Sequence, residues 1–261
     1  MVTPKFVYSL YETRLQNNLK NETLPKHIGI IHDGHRRYAR RENLLSYEVS
    51  YRIGMVRFKE CLAWCDELGI DNITSWLLSK ENLSRPEDEL NSYYLVLNEL
   101  FEELLIDDLV DNFKINFVGS IDLLPDYLQN SIKKLKEVRG GGEKLLTIAI
   151  GYGGRQEIVD AMKSLLQENQ ELEIQDLIKS INDEQIRDHL YSPDSPDIDL
   201  ILIPIPNRSL GILCLILLAS FISSLSSFVA FSIPSDFLLS LIFLGSLSSN
   251  LNSISGLFGR I

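Results

Sequence analysis

Cysteine is scarce in this chain, and its placement excludes two of its usual roles. Cys61, Cys65 and Cys214 include no CxxC pair of the kind that binds zinc or cycles a disulfide. Cys61 and Cys65 stand four apart in a helical pattern, which suits buried thiols in a reducing compartment. The apolar core of a signal peptide is missing as well. Polar residues interrupt the opening MVTPKFVYSLYETRL, so the body of the protein is expected in the cytoplasm. No GxxxxGK[ST] loop occurs, which excludes a Walker-type nucleotide site. Basic charge is also in deficit. The formal net charge of the 261 residues is -11, so no nucleic-acid partner is expected.

Against that acidic background one basic cluster is conspicuous, in HIGIIHDGHRRYARR at His27–Arg41. A short apolar run, Ile28 to Ile31, leads into a lone carboxylate, Asp33, then Gly34, His35 and four arginines: Arg36, Arg37, Arg40 and Arg41. The glycine permits a tight turn and the close approach of a ligand to the backbone. Amide N–H groups at a helix start and arginine forks both hold phosphate oxygens. A single carboxylate beside them is what a Mg²⁺-bridged diphosphate needs. The plain structural alternative, a strand–helix turn with a solvated basic face, carries equal weight on these residues alone. A phosphotransferase using Asp33 as nucleophile would want a second carboxylate two residues on, where His35 stands.

With 45% hydrophobic residues the chain can bury a full core, and one α/β domain is the simplest organisation. Residues 1–26 read as an N-terminal helical segment ending at Pro25. Strands are expected at His27–His32, Asn72–Ser79, Lys114–Val118, Leu145–Gly151 and Ile198–Ile203. Between them fall helices at Tyr47–Leu68 (Ile53, Val56, Cys61, Trp64 and Leu68 at helical spacing), after Ser84, at Leu123–Val138 and at Gln156–Gln167. A further polar helix is expected over Glu171–Tyr191, and Ser84-Arg85-Pro86-Glu87 has the form of a capping box. This alternation predicts a mostly parallel central sheet flanked by helices. Ligands then sit at the carboxyl ends of the strands, where Asp33 and Ser79–Arg85 fall.

Three ordered blocks resemble the cis-prenyltransferases, the polyprenyl (undecaprenyl) diphosphate synthases. His27–Arg40 resembles their first signature, H-(apolar)4-x-DGNGRWA. Thr74–Leu90 keeps SxENxxRPxxE as Ser79, Glu81, Asn82, Arg85, Pro86 and Glu89, and Ile148–Ala161 resembles the later YGGRxEI block. Together they cover His27 to Leu202. His35 in place of Asn and Tyr38 in place of Trp resemble the archaeal branch.

The resemblance implies condensation of isopentenyl diphosphate onto an allylic diphosphate primer, such as geranylgeranyl or farnesyl diphosphate. New double bonds would be cis, and the product a long polyprenyl diphosphate, a glycosyl carrier lipid precursor. It implies Mg²⁺ as cofactor, with Asp33 as metal contact and catalytic organiser, and Asn82 placing the group that receives the proton. Gly34, His35, Arg36 and Arg37 would hold the allylic diphosphate, and Tyr38 would flank its first isoprene unit. Ser79, Lys80, Glu81, Leu83 and Arg85 would lie around the isopentenyl unit. Arg52 is a candidate replacement for a missing family residue after the first block. The resemblance further implies a homodimer in the cytoplasm and a product that enters the membrane, with membrane association of the protein itself left open.

The domain of 27–203 is followed by an anomalous apolar tail, 204–261. No charged residue occurs between Arg208 and Asp236, or between Asp236 and Arg260, and Leu, Ile, Phe and Ser dominate. Each stretch approaches the roughly 20 apolar residues that span a bilayer. The family's continuation, RTSGExRLSxFLLWQxxYxE, should begin at Ile203 and is absent. Two readings follow, a membrane hairpin or a shift of reading frame, and the abruptness of the change favours the second. Sequencing the gene across codons 200–206 decides between them. The absence of that motif leaves, as the alternative to an active enzyme, a catalytically impaired one or a non-catalytic partner subunit of the same fold, against which the intact Asp33 and Ser79–Arg85 argue.

Overall fold

The computed structural model describes residues 22–203 except position 172, with scattered positions from 10 to 19; the tail 204–261 and both readings of it lie outside the described residues. Among these residues five strands form one sheet in the order β3-β4-β2-β1-β5, with every pairing parallel. They are β1 (His27–Ile31), β2 (Asn72–Ser79), β3 (Phe113–Val118), β4 (Lys144–Tyr152) and β5 (Leu200–Leu202). The helices are α1 (His35–Arg41), α2 (Tyr47–Glu67), α3 (Glu87–Leu104), α4 (Asp126–Val138), α5 (Gly154–Glu168), α6 (Ile174–Ser180) and α7 (Asp183–Asp188). The expected mostly parallel α/β architecture is thus the observed one. No helix among the described residues is long and apolar enough to cross a membrane.

The apolar runs sit where the sheet is covered on both faces, which is why β4 reads as continuous hydrophobic sequence. In α4, Leu128, Ile132 and Leu135 recur on one face and are buried. On α2 the buried face differs from the expected stripe. Tyr51, Met55, Phe58, Leu62 and Cys65 face the core, whereas Ile53 and Val56 are exposed. The helix carries two apolar faces, and the sheet takes the one with the larger rings. Burial among carbon atoms pushes the Cys65 thiol up to about 12, with Cys61 adding to the shift, so neither is a ready nucleophile.

Two local expectations fail because side chains bond elsewhere. Ser84 closes a 3-10 turn over Glu81–Ser84 by bonding the Glu81 carbonyl at 2.7 Å, so no capping box forms and α3 starts after Pro86. The polar segment after 171 breaks into α6 and α7, the second capped by Asn182, whose side chain accepts the Gln185 N–H at 3.0 Å. The sheet edge at β5 is held by β1. His27 bonds the Pro196 carbonyl at 2.7 Å and Thr74 Oγ1 at 2.9 Å through its two ring nitrogens. Asp199 accepts the Lys26 and His27 amides at 2.7 and 3.0 Å.

Candidate active site

A cavity of about 410 Å³ opens at the carboxyl ends of β1 and β2. Its first wall comes from the turn after β1. Gly34 adopts φ 99°, a conformation costly for any residue with a Cβ, and completes the three-residue turn that leads from the end of β1 at Ile31 into α1. Asp33 is left at the rim, accepting the Gly34 amide at 2.5 Å and the Arg37 guanidinium at 2.9 Å. Arg36, Arg37 and Arg40 border the same space. The second wall follows β2, where register shifts between Trp76 and Ser79 end the regular ladder against β4. Ser79, Asn82 and Arg85 face the cavity from there, and Ser79 Oγ accepts the Asn82 amide at 3.2 Å.

The floor is aromatic. Tyr51 and Tyr93 lie 4.6 Å apart between ring centroids, with the His35 ring 5.3 Å from Tyr51. Tyr93 donates to the Leu77 carbonyl at 2.7 Å, and Tyr51 to Glu89 at 2.9 Å. Glu89 also pairs with Arg85 at 3.3 Å and, more loosely, with Arg36 at 3.8 Å, so one carboxylate ties both walls together. Burial, then the bond to Glu89, raises the Tyr51 phenol, and burial raises that of Tyr93; both stay protonated. His32, beneath Asp33, bonds Ser75 at 2.8 Å. Burial first, and the neighbouring His35 second, lower its pKa to about 3, so it is neutral at physiological pH.

Of the residues expected at the site, Asp33, Gly34, His35, Arg36, Arg37, Ser79, Asn82 and Arg85 come together around this cavity. Tyr38, Lys80, Glu81 and Leu83 do not line it. Tyr38 lies under the Arg41 guanidinium, Lys80 bonds Gln156 at 2.7 Å, and Leu83 packs on the core. The Glu81 carboxyl is held below its ordinary range by its own backbone amide and by Ser79. Arg52 is occupied on the outer face of α2 by Glu48 and Glu99. Sequence reading did not place His32, Arg40, Tyr51, Trp76 or Tyr93 among the site residues. The signal for Tyr93 was its place one turn beyond Glu89 on α3, masked by the neighbouring Tyr94 in the apolar stripe.

Parallel strands thus end at a cavity that gathers one carboxylate and four guanidinium groups above an aromatic floor. Comparison with known proteins agrees. Residues 31–204 match the family model described as "Putative undecaprenyl diphosphate synthase". A tritrans,polycis-undecaprenyl-diphosphate synthase (geranylgeranyl-diphosphate specific) of Picrophilus torridus is 38% identical over 200 residues, covering 76% of this chain and 77% of its own. A (2Z,6E)-farnesyl diphosphate synthase of Thermobifida fusca is 37% identical over 202 residues, covering 75% and 77%. The crystal structure of lavandulyl diphosphate synthase from Lavandula x intermedia, in complex with dimethylallyl diphosphate, shares the fold at TM-score 0.66 and 22% identity, over 78% of this chain and 98% of that one. The chain belongs to the undecaprenyl diphosphate synthase family of cis-prenyltransferases, whose reaction condenses isopentenyl diphosphate onto an allylic diphosphate.

Proposed function

We propose that this chain binds an allylic diphosphate against α1 and isopentenyl diphosphate against the Ser79–Arg85 segment, and joins them with a cis double bond. One observation carries the reading: Arg36, Arg37 and Arg85 converge with Asp33 on a cavity whose floor is made of tyrosine rings. Guanidinium groups hold the leaving diphosphate and stabilise the charge it gains as its bond to the allylic carbon breaks. Arg37, more than half exposed and, among the described residues, paired with Asp33 alone, is free to turn toward phosphate oxygen. The first-turn amides of α1 add uncharged donors. Asn82 is too weak a base to take the proton lost from isopentenyl diphosphate, so its role is to orient the group that does. The apolar chain lies over Tyr51 and Tyr93, which exclude water from the reacting carbons.

The residues also fit a divalent ion. Among the described residues no three His, Cys, Asp or Glu side chains are grouped to hold a metal. Asp33 is a solitary carboxylate at the rim, which suits Mg²⁺, an ion commonly held by one or two carboxylates and completed by substrate phosphates and water. When bound there, the ion would neutralise diphosphate charge. The reading also includes a homodimer in the cytoplasm that releases its product to the membrane, which gel filtration and cell fractionation test.

The family match ends at residue 204, and all residues lining the cavity precede position 94. That favours a second reading in which diphosphate is bound but turnover is poor, for want of the usual C-terminal arginines. Purified full-length protein with radiolabelled isopentenyl diphosphate, C10, C15 or C20 primers and Mg²⁺ separates the cases. Polymer formation supports the enzyme, and pyrophosphate binding without polymer supports the impaired form. Neither result would be compatible with a non-catalytic scaffold; loss of both would overturn the proposal.

A further inference from the structure

Helix α1 is only seven residues long and buries a single side chain, Ala39, in the core. So short a helix does not hold its own orientation in water. Its ion pair to Asp33 lies within its own approach turn, and the Arg36–Glu89 contact is long at 3.8 Å. Something else must set its angle against α2, and the structure shows what. The His35 ring fills the groove left by the missing side chain of Gly54 on α2. A Cβ built on Gly54 would overlap His35 Cε1, with Nδ1 2.9 Å and Nε2 3.2 Å away. Nδ1 lies 3.2 Å from the Ser50 carbonyl, an oxygen that only accepts, so Nδ1 carries the proton. In the neutral ring Nε2 is then a bare acceptor, and it is buried with no partner. A bare acceptor does not hold phosphate oxygens, which are acceptors themselves.

We infer that His35 and Gly54 form a size-matched lock between α1 and α2, and that His35 serves the diphosphate cavity as a positioning residue through this lock rather than by an imidazole contact to ligand. The inference rests on the diphosphate-binding reading above and deepens it. It assigns to Gly54 a role in substrate binding although that residue does not border the cavity. It also explains how His35 can stand where the family has Asn. The asparagine amide donates from nearly the same place as Nδ1 but lacks the ring atoms that press on position 54.

The test uses the full chain in four forms: unaltered, Gly54→Ala, His35→Asn and the two combined. Mg²⁺ pyrophosphate binding by calorimetry, KM and kcat for an allylic diphosphate where turnover occurs, and thermal unfolding are read for each. Gly54→Ala is expected to weaken pyrophosphate binding and raise KM by about tenfold or more, since displacements of about 1 Å at such a site have effects of that order. Its melting temperature should fall by a few degrees at most, because the helix preference of alanine offsets part of the overpacking against the ring. His35→Asn alone, which removes the ring and leaves the groove open, should weaken binding by about threefold or more, and the combined variant, in which the added methyl meets no ring, should bind no worse than His35→Asn, the non-additivity expected of touching residues. Equal binding by Gly54→Ala and the unaltered chain overturns the lock. So does a combined variant as weak as Gly54→Ala, or a His35→Asn that binds as tightly as the unaltered chain. If Gly54→Ala does not fold, recovery of folding in the combined variant supports the lock and its failure refutes it. Absence of pyrophosphate binding in the unaltered chain would instead refute the functional reading, and the lock with it.

Discussion

The two walls of the cavity are built from the same residue types and held in opposite ways. On the α1 wall the Asp33–Arg37 pair is exposed, with side chains 59% and 63% accessible. On the α3 wall Arg85 and Glu89 are mostly buried, at 19% and 10%, and locked by Tyr51. Exposed ion pairs contribute little to stability, whereas removing one partner of a buried pair strands the other. The first wall is therefore set up to exchange partners with a ligand, and the second to stay where it is.

That contrast is open to attack. The largest effect is expected from Asp33→Ala, which should lower turnover by about 100-fold or more in steady-state assays, if Asp33 is the carboxylate that holds the Mg²⁺ neutralising diphosphate charge. Its unfolding free energy should shift by less than about 1 kcal/mol in urea titration. Glu89→Gln should do the reverse in character. It strands Arg85, and a loss of about 3 kcal/mol in unfolding free energy is expected, with weaker substrate binding as a consequence of the displaced Arg85. A Glu89→Gln protein as stable as the unaltered chain would erase the distinction between the walls.

A third effect concerns acid. The folded pKa of His32 is lowered to about 3 from 6.5, so the unfolded chain binds this proton more readily. The stabilising contribution of neutral His32 is complete above pH 6.5 and is lost as pH falls from there toward 3, at up to about 1.4 kcal/mol per pH unit. His32→Gln should flatten that part of the stability–pH curve, and an unchanged slope would assign acid sensitivity elsewhere. The smallest expected change is in Arg52→Ala. Its partners Glu48 and Glu99 are on the solvent side, so turnover should be unaltered and stability should fall by less than about 1 kcal/mol.

Much of this architecture was legible before any coordinates. Strand and helix periods placed β2 to the residue and the other strands within a residue or two, because buried parallel strands leave long apolar runs. The helix after β2 was legible in kind, yet its start was misplaced, since a serine three residues before a glutamate also fits the end of a 3-10 turn. The choice between the two apolar faces of α2 was not legible, because periodicity gives the faces of a helix and not which one meets the sheet. The site showed the same division. Asp33 and the arginines announced themselves by rarity of basic charge in an acidic chain, while Tyr93 looked like ordinary core.

By itself the sequence determined the parallel α/β class, the strand ends that face the ligand and the charge gathered at the first of them, because these depend on local pattern and residue type. Tertiary structure alone decided that Glu89 would bridge both walls, that Tyr93 would join Tyr51 beneath the cavity and that His35 would seat against Gly54. Those contacts bring together residues from separate helices, at distances of a few ångströms that no spacing along the chain encodes.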